Sequence, residues 1–177
     1  RQRFNSIITD PEGKKMSKTK GNVVDPLELF DQYGTDAVRF ALASQESLKQ
    51  SFRLTPDRVE HARNFMNKIW NAARFSLAEL EGFTPSATEP KHLSEVDHWI
   101  LETADLAVEN ATGALDQFSF NEYAGGFETF FWTKFCDVYL ELAKPALKDP
   151  SRKDAARWTL WKVLDTSMRL LHPVAPY

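Results

Sequence analysis

Apolar positions along the later two thirds of the chain repeat at the spacing of an α-helix. Val59, Ala62, Met66, Ile69, Ala73, Leu77 and Leu80 form one stripe, with Thr55 and Pro56 ahead of them as cap and first-turn proline. No glycine or further proline interrupts until Gly82, which predicts one long helix. Gly82 to Pro90 reads as a loop by composition. Ser94 caps a second long helix through Val96, Ile100, Ala104, Ala107, Ala111, Leu115 and Phe118. Ser119 and Glu122 have capping-box spacing for a third, which carries Tyr123, Phe127, Phe131, Phe135, Val138 and Leu142 and is expected to end near Pro145. Gly125-Gly126 costs that helix about 1–2 kcal/mol relative to alanine, and a close helix crossing there would offset it. Asp149-Pro150 caps and starts a fourth helix through Trp158, Trp161, Leu164, Met168 and Leu171.

The first 54 residues are patterned differently. Ile7 and Ile8 sit in a weakly alternating stretch that predicts a strand running into the turn Pro11-Glu12-Gly13. Asp25, Pro26 and Glu28 predict a capped helix that Gly34 ends after Tyr33. Thr35 or Asp36 caps a short helix through Val38, Phe40, Ala41 and Leu42, and Ser44 to Leu54 reads as an extended loop. The predicted fold class is therefore mainly α. A small strand–loop–helix piece at 1–54 precedes an antiparallel four-helix-type bundle at 55–177.

Composition narrows the reading. The 177 residues are 42% hydrophobic, with five tryptophans and thirteen phenylalanines, which excludes disorder and implies large buried rings. A net charge of −3 confines any nucleic-acid contact to a local patch. The single cysteine, Cys136, excludes an internal disulfide, sits in an apolar pattern and suits a reducing cytoplasm. No apolar run reaches the roughly 18–20 residues of a membrane span, and no signal peptide is visible. A start at Arg1 and an apolar end at Tyr177 read as an excised segment of something larger.

Between the predicted strand and the first helix lies Lys14-Lys15-Met16-Ser17-Lys18-Thr19-Lys20-Gly21-Asn22, with four lysines in seven residues. Such a run is commonly a solvated loop. It also suits a polyphosphate: mobile ammoniums, a glycine turn and an adjoining helix N-terminus all favour anions. The order of residues decides between these readings. Lys15-Met16-Ser17-Lys18-Thr19 resembles the Lys-Met-Ser-Lys-Ser signature of class I aminoacyl-tRNA synthetases, with Thr19 keeping a hydroxyl at the departing fifth position. The trailing Gly-Asn-Val-Val-Asp-Pro and Tyr33-Gly34-Thr35-Asp36-Ala37-Val38-Arg39 resemble the subclass that charges Val, Ile, Leu and Met. The resemblance implies ATP as substrate, with Mg2+ accompanying the nucleotide and no structural metal in this segment. Lys15 and Lys18 are the implied catalytic lysines, and Lys15, Met16, Ser17, Lys18 and Thr19 the implied ATP-phosphate loop.

The first long helix leaves Arg63, Asn64, Asn67, Lys68, Asn71 and Arg74 off its apolar stripe. Asn67 and Asn71 are four apart and share a side. Amides can meet base edges and cations phosphate, or the face is simply wet, its arginines paired with Glu60 or Glu81. Phe83 could stack on a splayed base or cap the end of the core. Trp132, Trp158 and Trp161 read as core. Asp137 and Glu141 read as an exposed face, and the four histidines have no ligand spacing. Here too a resemblance adds weight. Phe65 to Phe75 is similar to the first anticodon-domain helix of the subclass, whose methionine member turns the positions of Asn67 and Asn71 to the anticodon. Its detailed form, and that of Phe131 to Lys144, resemble the valine enzymes. Val138 stands where those have tryptophan, which predicts a smaller packed surface.

The implied partners are tRNA(Val), ATP and valine, the last held outside this segment, in a cytoplasmic enzyme that is monomeric and has no membrane contact. No His-Ile-Gly-His-type motif, amino-acid pocket or editing domain is found, so the segment alone is expected to be inactive. Two alternatives stay open. One is an isoleucine, leucine or methionine enzyme; the other is a non-enzymatic helical module that binds RNA or protein.

Overall fold

A computed structural model describes residues 7–10, 12–17, 19, 21–45 and 51–177. The chain is mainly helical with one small parallel sheet. Strand β1 (Ile7–Thr9) pairs with β2 (Ser51–Arg53), Ile7 opposite Ser51 and Thr9 opposite Arg53. Between them run the lysine loop, α1 (Pro26–Tyr33) and α2 (Thr35–Gln45). The extended loop expected at 44–54 is thus divided. Ser44 and Gln45 finish α2, 46–50 lie outside the described residues, and 51–53 become a strand because β1 offers an edge too distant in sequence to be seen in a local pattern.

The helical part follows as α3 (Pro56–Glu79), α4 (Glu95–Asp116), α5 (Phe120–Glu128), a π-helical segment (Thr129–Tyr139), α6 (Leu140–Lys148) and α7 (Lys153–Leu171). Ser94 and Asp97 cap α4 reciprocally. The box expected at Ser119 is absent: Phe118 turns through φ 57°, and the Ser119 amide bonds to the Ala114 carbonyl at 2.8 Å. This bond closes the C-terminus of α4 and occupies the Ser119 amide that Glu122 would have met.

Three further expectations are corrected. Helical structure runs through Pro145 to Lys148; the proline is exposed, and Ala143, Ala146 and Leu147 bury the other side. The last helix starts at Lys153, because the Asp149 carboxylate accepts both the amide and hydroxyl of Ser151 and holds a tight turn first. A Cβ at Gly125 or Gly126 would meet nothing within 4 Å, so no helix crosses closely there.

Tyr123, Phe127, Phe131, Phe135 and Tyr139 are spaced strictly by four. On a 3.6-residue helix that spacing drifts about 40° per step. Where α5 passes into the wider i→i+5 winding, the drift is taken up and successive rings stay on one side. Phe127, Phe131, Phe135 and Tyr139 form a ladder with centroids 5.7, 5.2 and 5.9 Å apart. Phe65 of α3 meets the ladder at Phe127 and Phe131, and α2 joins it through Phe40, 5.1 Å from Phe65. One core cluster therefore spans α2 and the later helices. Burial pushes the Cys136 thiol up to about 12, as expected of a small buried hydrophobe. Among the described residues no helix is long and apolar enough to cross a membrane.

Candidate functional site

The lysine loop hangs from β1 on a polar lattice. The Asp10 carboxylate accepts the Lys14 amide at 2.7 Å and the Asn22 side-chain amide at 2.8 Å. Asn22 in turn accepts the Ser17 amide at 2.9 Å and donates to the Lys15 carbonyl at 3.4 Å. Thr9 and Lys15 form an antiparallel bridge, and the Ser17 and Thr19 hydroxyls are 2.7 Å apart. Gly13 (φ 82°) makes the turn beneath the Arg53 guanidinium, and Gly21 (φ 66°) closes the loop. The hydrogen bond from Asn22 is the chief cause that holds the Asp10 carboxyl below its ordinary value.

This lattice positions the loop backbone and engages the side chain of neither Lys14 nor Lys15. Lys14 and Lys15 are exposed, and among the described residues neither makes an ion pair. Met16 and Ser17 are half-buried, Thr19 is exposed, and Lys18 and Lys20 lie outside the described residues. At the N-terminus of α1, Asp25 accepts the Leu27 amide at 2.9 Å and places its own carboxylate there. Asp10 and Asn22 are the residues that sequence reasoning missed here. An acid before a Pro-x-Gly turn and an amide after a glycine were the visible signals.

On α3 the buried side is Val59, Ala62, Phe65, Ile69, Ala72 and Ser76. Leu77, predicted inside, is 62% exposed, because the stripe follows Phe65 into the aromatic ladder. The candidate polar residues divide. The Arg63 guanidinium is 3.0 Å from Glu60, 3.3 Å from the Asn64 amide oxygen and 5.9 Å from the centre of the Tyr33 ring. The Lys68 ammonium is 2.8 Å from Asp137 and 5.6 Å from the Trp132 ring centre. Trp132 is half-buried, stacked on Phe65 and His61 at 5.8 and 6.2 Å. Asn67, Asn71 and Arg74 remain on the exposed side; Asn71 donates to the Asn67 carbonyl at 2.9 Å, and Arg74 has no ion pair among the described residues. Between Asn67 and Arg74 stands Trp70, 71% exposed, which sequence reasoning left out. Its place three residues after Asn67 and four before Arg74 was the signal.

Phe83 is half-buried just after Gly82 (φ 70°) and does not join the core cluster. Trp158 is buried and donates to the Ser86 carbonyl at 2.9 Å, which ties down the α3–α4 connection; Trp161 is half-buried. Val138 is 37% exposed and borders a shallow cleft with Val96, Trp99 and Leu142. Asp137 is taken by Lys68 and Glu141 by Lys144, and no metal-binding group occurs among the described residues.

Residues 3–54 match the family described as tRNA synthetases class I (I, L, M and V), and residues 97–177 match the anticodon-binding domain of tRNA ligase. α3 lies between the two matches. Curated proteins named valine–tRNA ligase from Geobacter sulfurreducens, Nitratidesulfovibrio vulgaris and Thermotoga maritima are 47%, 42% and 43% identical over 98% of this chain. The chain spans about a fifth (20%) of their length. Among solved structures, the Agrobacterium radiobacter K84 LeuRS in ternary complex with tRNA and LeuAMS matches with a TM-score of 0.80 at 22% identity, over 97% of this chain and 21% of that one. A Mycobacterium tuberculosis methionyl-tRNA synthetase with methionyl-adenylate matches with a TM-score of 0.69 at 23% identity, over 97% of this chain and 35% of that one. At those identities the likeness concerns the fold.

Proposed function

Since the chain belongs to the class I tRNA synthetases and matches valine–tRNA ligases along nearly all its length, we propose that it is the part of such a ligase that grips ATP and inspects tRNA(Val). The observation that carries this is a lysine loop whose backbone is pinned through Asp10 and Asn22 while Lys14 and Lys15 stay exposed. In the reaction of the whole ligase, the valine carboxylate attacks the α-phosphate of ATP to give valyl-adenylate and pyrophosphate, and a hydroxyl at the tRNA 3′ end then takes the valyl group and releases AMP. Lys15 and Lys18 stabilise charge developing on the departing phosphates, and the Ser17 and Thr19 hydroxyls and the Met16 backbone shape the loop around them. Mg2+ travels with the nucleotide, and valine binds outside this segment. The loop closes on ATP and reopens with turnover.

The boundary at residues 54/55 separates this loop region from the anticodon-reading part, where α3, α4, the α5–α6 run and α7 act as an antiparallel four-helix bundle. Asn67, Asn71 and Arg74 approach tRNA(Val) directly, with Phe83 at the helix end. Arg63, Asn64 and Lys68 border the same face, held in place by their intrachain pairs. The parent works in the cytoplasm as a monomer.

The chain alone is expected to show no valine-dependent ATP–pyrophosphate exchange, since the amino-acid pocket lies elsewhere; measurable exchange would refute that. In the full-length ligase, Lys18→Ala and Lys15→Ala should slow adenylate formation by about 10- to 1,000-fold while tRNA affinity stays put. Unchanged adenylate formation would remove the loop from the mechanism.

A further inference from the structure

α3 presents an exposed indole in a setting that suits neither a core nor an ordinary wet surface. Trp70 is 71% exposed, although Phe65, earlier on the same helix, is fully buried and Trp158 of α7 is 6% exposed. Its neighbours on the same side are polar: Asn67 one turn before, Asn71 beside it and Arg74 one turn after. From His61 to Ala78 the helix contains no aspartate or glutamate, while Arg63, Lys68 and Arg74 fall within it, in a chain whose net charge is −3.

These features point to one kind of occupant. An apolar protein segment laid over Trp70 would also cover the Asn67 and Asn71 amides. Among the described residues only one of their groups is occupied, the Asn71 Nδ2 on the Asn67 backbone carbonyl at 2.9 Å. Burying the others without partners is costly. A nucleobase meets the whole surface instead. Its π-face stacks on the indole, its edge groups reach the amides, and the attached phosphate reaches Arg74. Rigidity favours the same answer. Trp70 follows Ile69, which is 6% exposed, and the far side of α3 is fastened through Phe65, so the ring is presented at little ordering cost.

We infer that Trp70 is a stacking platform for one unpaired base of the RNA bound along α3, with Asn67 and Asn71 at the base edge and Arg74 at its phosphate. The inference rests on the tRNA-binding reading above and adds to it a residue that supplies affinity through stacking, not charge.

The test uses the 177-residue chain, a tRNA transcript carrying the valine anticodon, and versions of that transcript made abasic at single anticodon-loop positions. Trp70→Ala should weaken binding of the intact transcript by roughly 5- to 100-fold, while Trp70→Phe keeps most of the affinity. The salt slope should not change, because an indole displaces no counterion. One abasic transcript should bind the parent and Trp70→Ala chains equally. If the parent binds and Trp70→Ala binds as tightly, the platform is refuted while the tRNA reading stands. A loss that is the same on every abasic transcript also refutes it, since the ring would then act through the helix. If the parent chain shows no salt-dependent binding to the transcript, the tRNA reading falls and the platform with it. Unchanged helicity by circular dichroism identifies each loss as a binding effect, and Trp70→Gln, which keeps a helix-forming side chain but removes the ring, is read in the same way should Trp70→Ala unfold.

Discussion

In the proposed function the lysine loop and α3 both offer cations to a polyanion, and they are built on opposite principles. The loop has almost no apolar anchorage; its shape comes from the Asp10–Asn22 lattice hung on a three-residue strand. The outer face of α3 is fixed by its inner face, where Phe65 is fully buried and touches Phe40, Phe127, Phe131 and Trp132. A hydrogen-bonded loop can exchange its partners with water at small net cost, whereas a packed helix cannot leave its ladder without opening a cavity. The loop suits a charge distribution that changes during a reaction, and the helix a surface read as a fixed shape.

The largest test of this contrast is Phe65→Ala. Loss of a ring that meets four others should cost about 3–5 kcal/mol of stability. Chemical denaturation should show it as a lowered midpoint with loss of RNA binding. A drop of less than 1 kcal/mol would mean that the inner face of α3 does not govern the outer one.

Next in size is Asn22→Ala. Hydrogen exchange at the Lys14 and Ser17 amides should accelerate roughly two- to tenfold, with the thermal midpoint little changed. Acid should act on the same point. Asp10 has a lowered carboxyl pKa in the closed loop, so the opened loop binds the proton more readily. The contribution is complete above the ordinary carboxylate value of 3.8 and is lost as pH falls through the lower, closed-loop value. Exchange at Lys14 should therefore stay protected at pH 5 and lose protection only in stronger acid, and Asn22→Ala should move that loss to higher pH. A thermal midpoint that fell with Asn22→Ala as far as with Phe65→Ala would merge the two regions into one cooperative unit.

The smallest effect is expected at Glu60→Ala, which frees Arg63 from an exposed pair and should change stability by no more than about 0.5 kcal/mol. If it instead strengthens RNA binding, the pair restrains a guanidinium that RNA would otherwise take.

Much of this contrast was legible in residue order. The caps at Asp25 and Ser94, the unbroken run from Pro56 and the lysine cluster all act through neighbours within about four residues, which is where sequence patterns are informative. Four-residue aromatic spacing from Tyr123 to Tyr139 announced a buried stripe but not its π winding, because the winding depends on holding those rings against Phe65.

What the chain determined by itself is the placement of its helices and the chemistry of its loop, since propensity, capping and charge are local. Only the tertiary structure decided which groups remain available. Lys68 is claimed by Asp137, sixty-nine residues away, and Asn22 by Asp10 across the lysine loop, while Trp70 is left outside because Phe65 turned the opposite side of α3 inward. Availability is a property of distant partners, and those meet only when the core has closed.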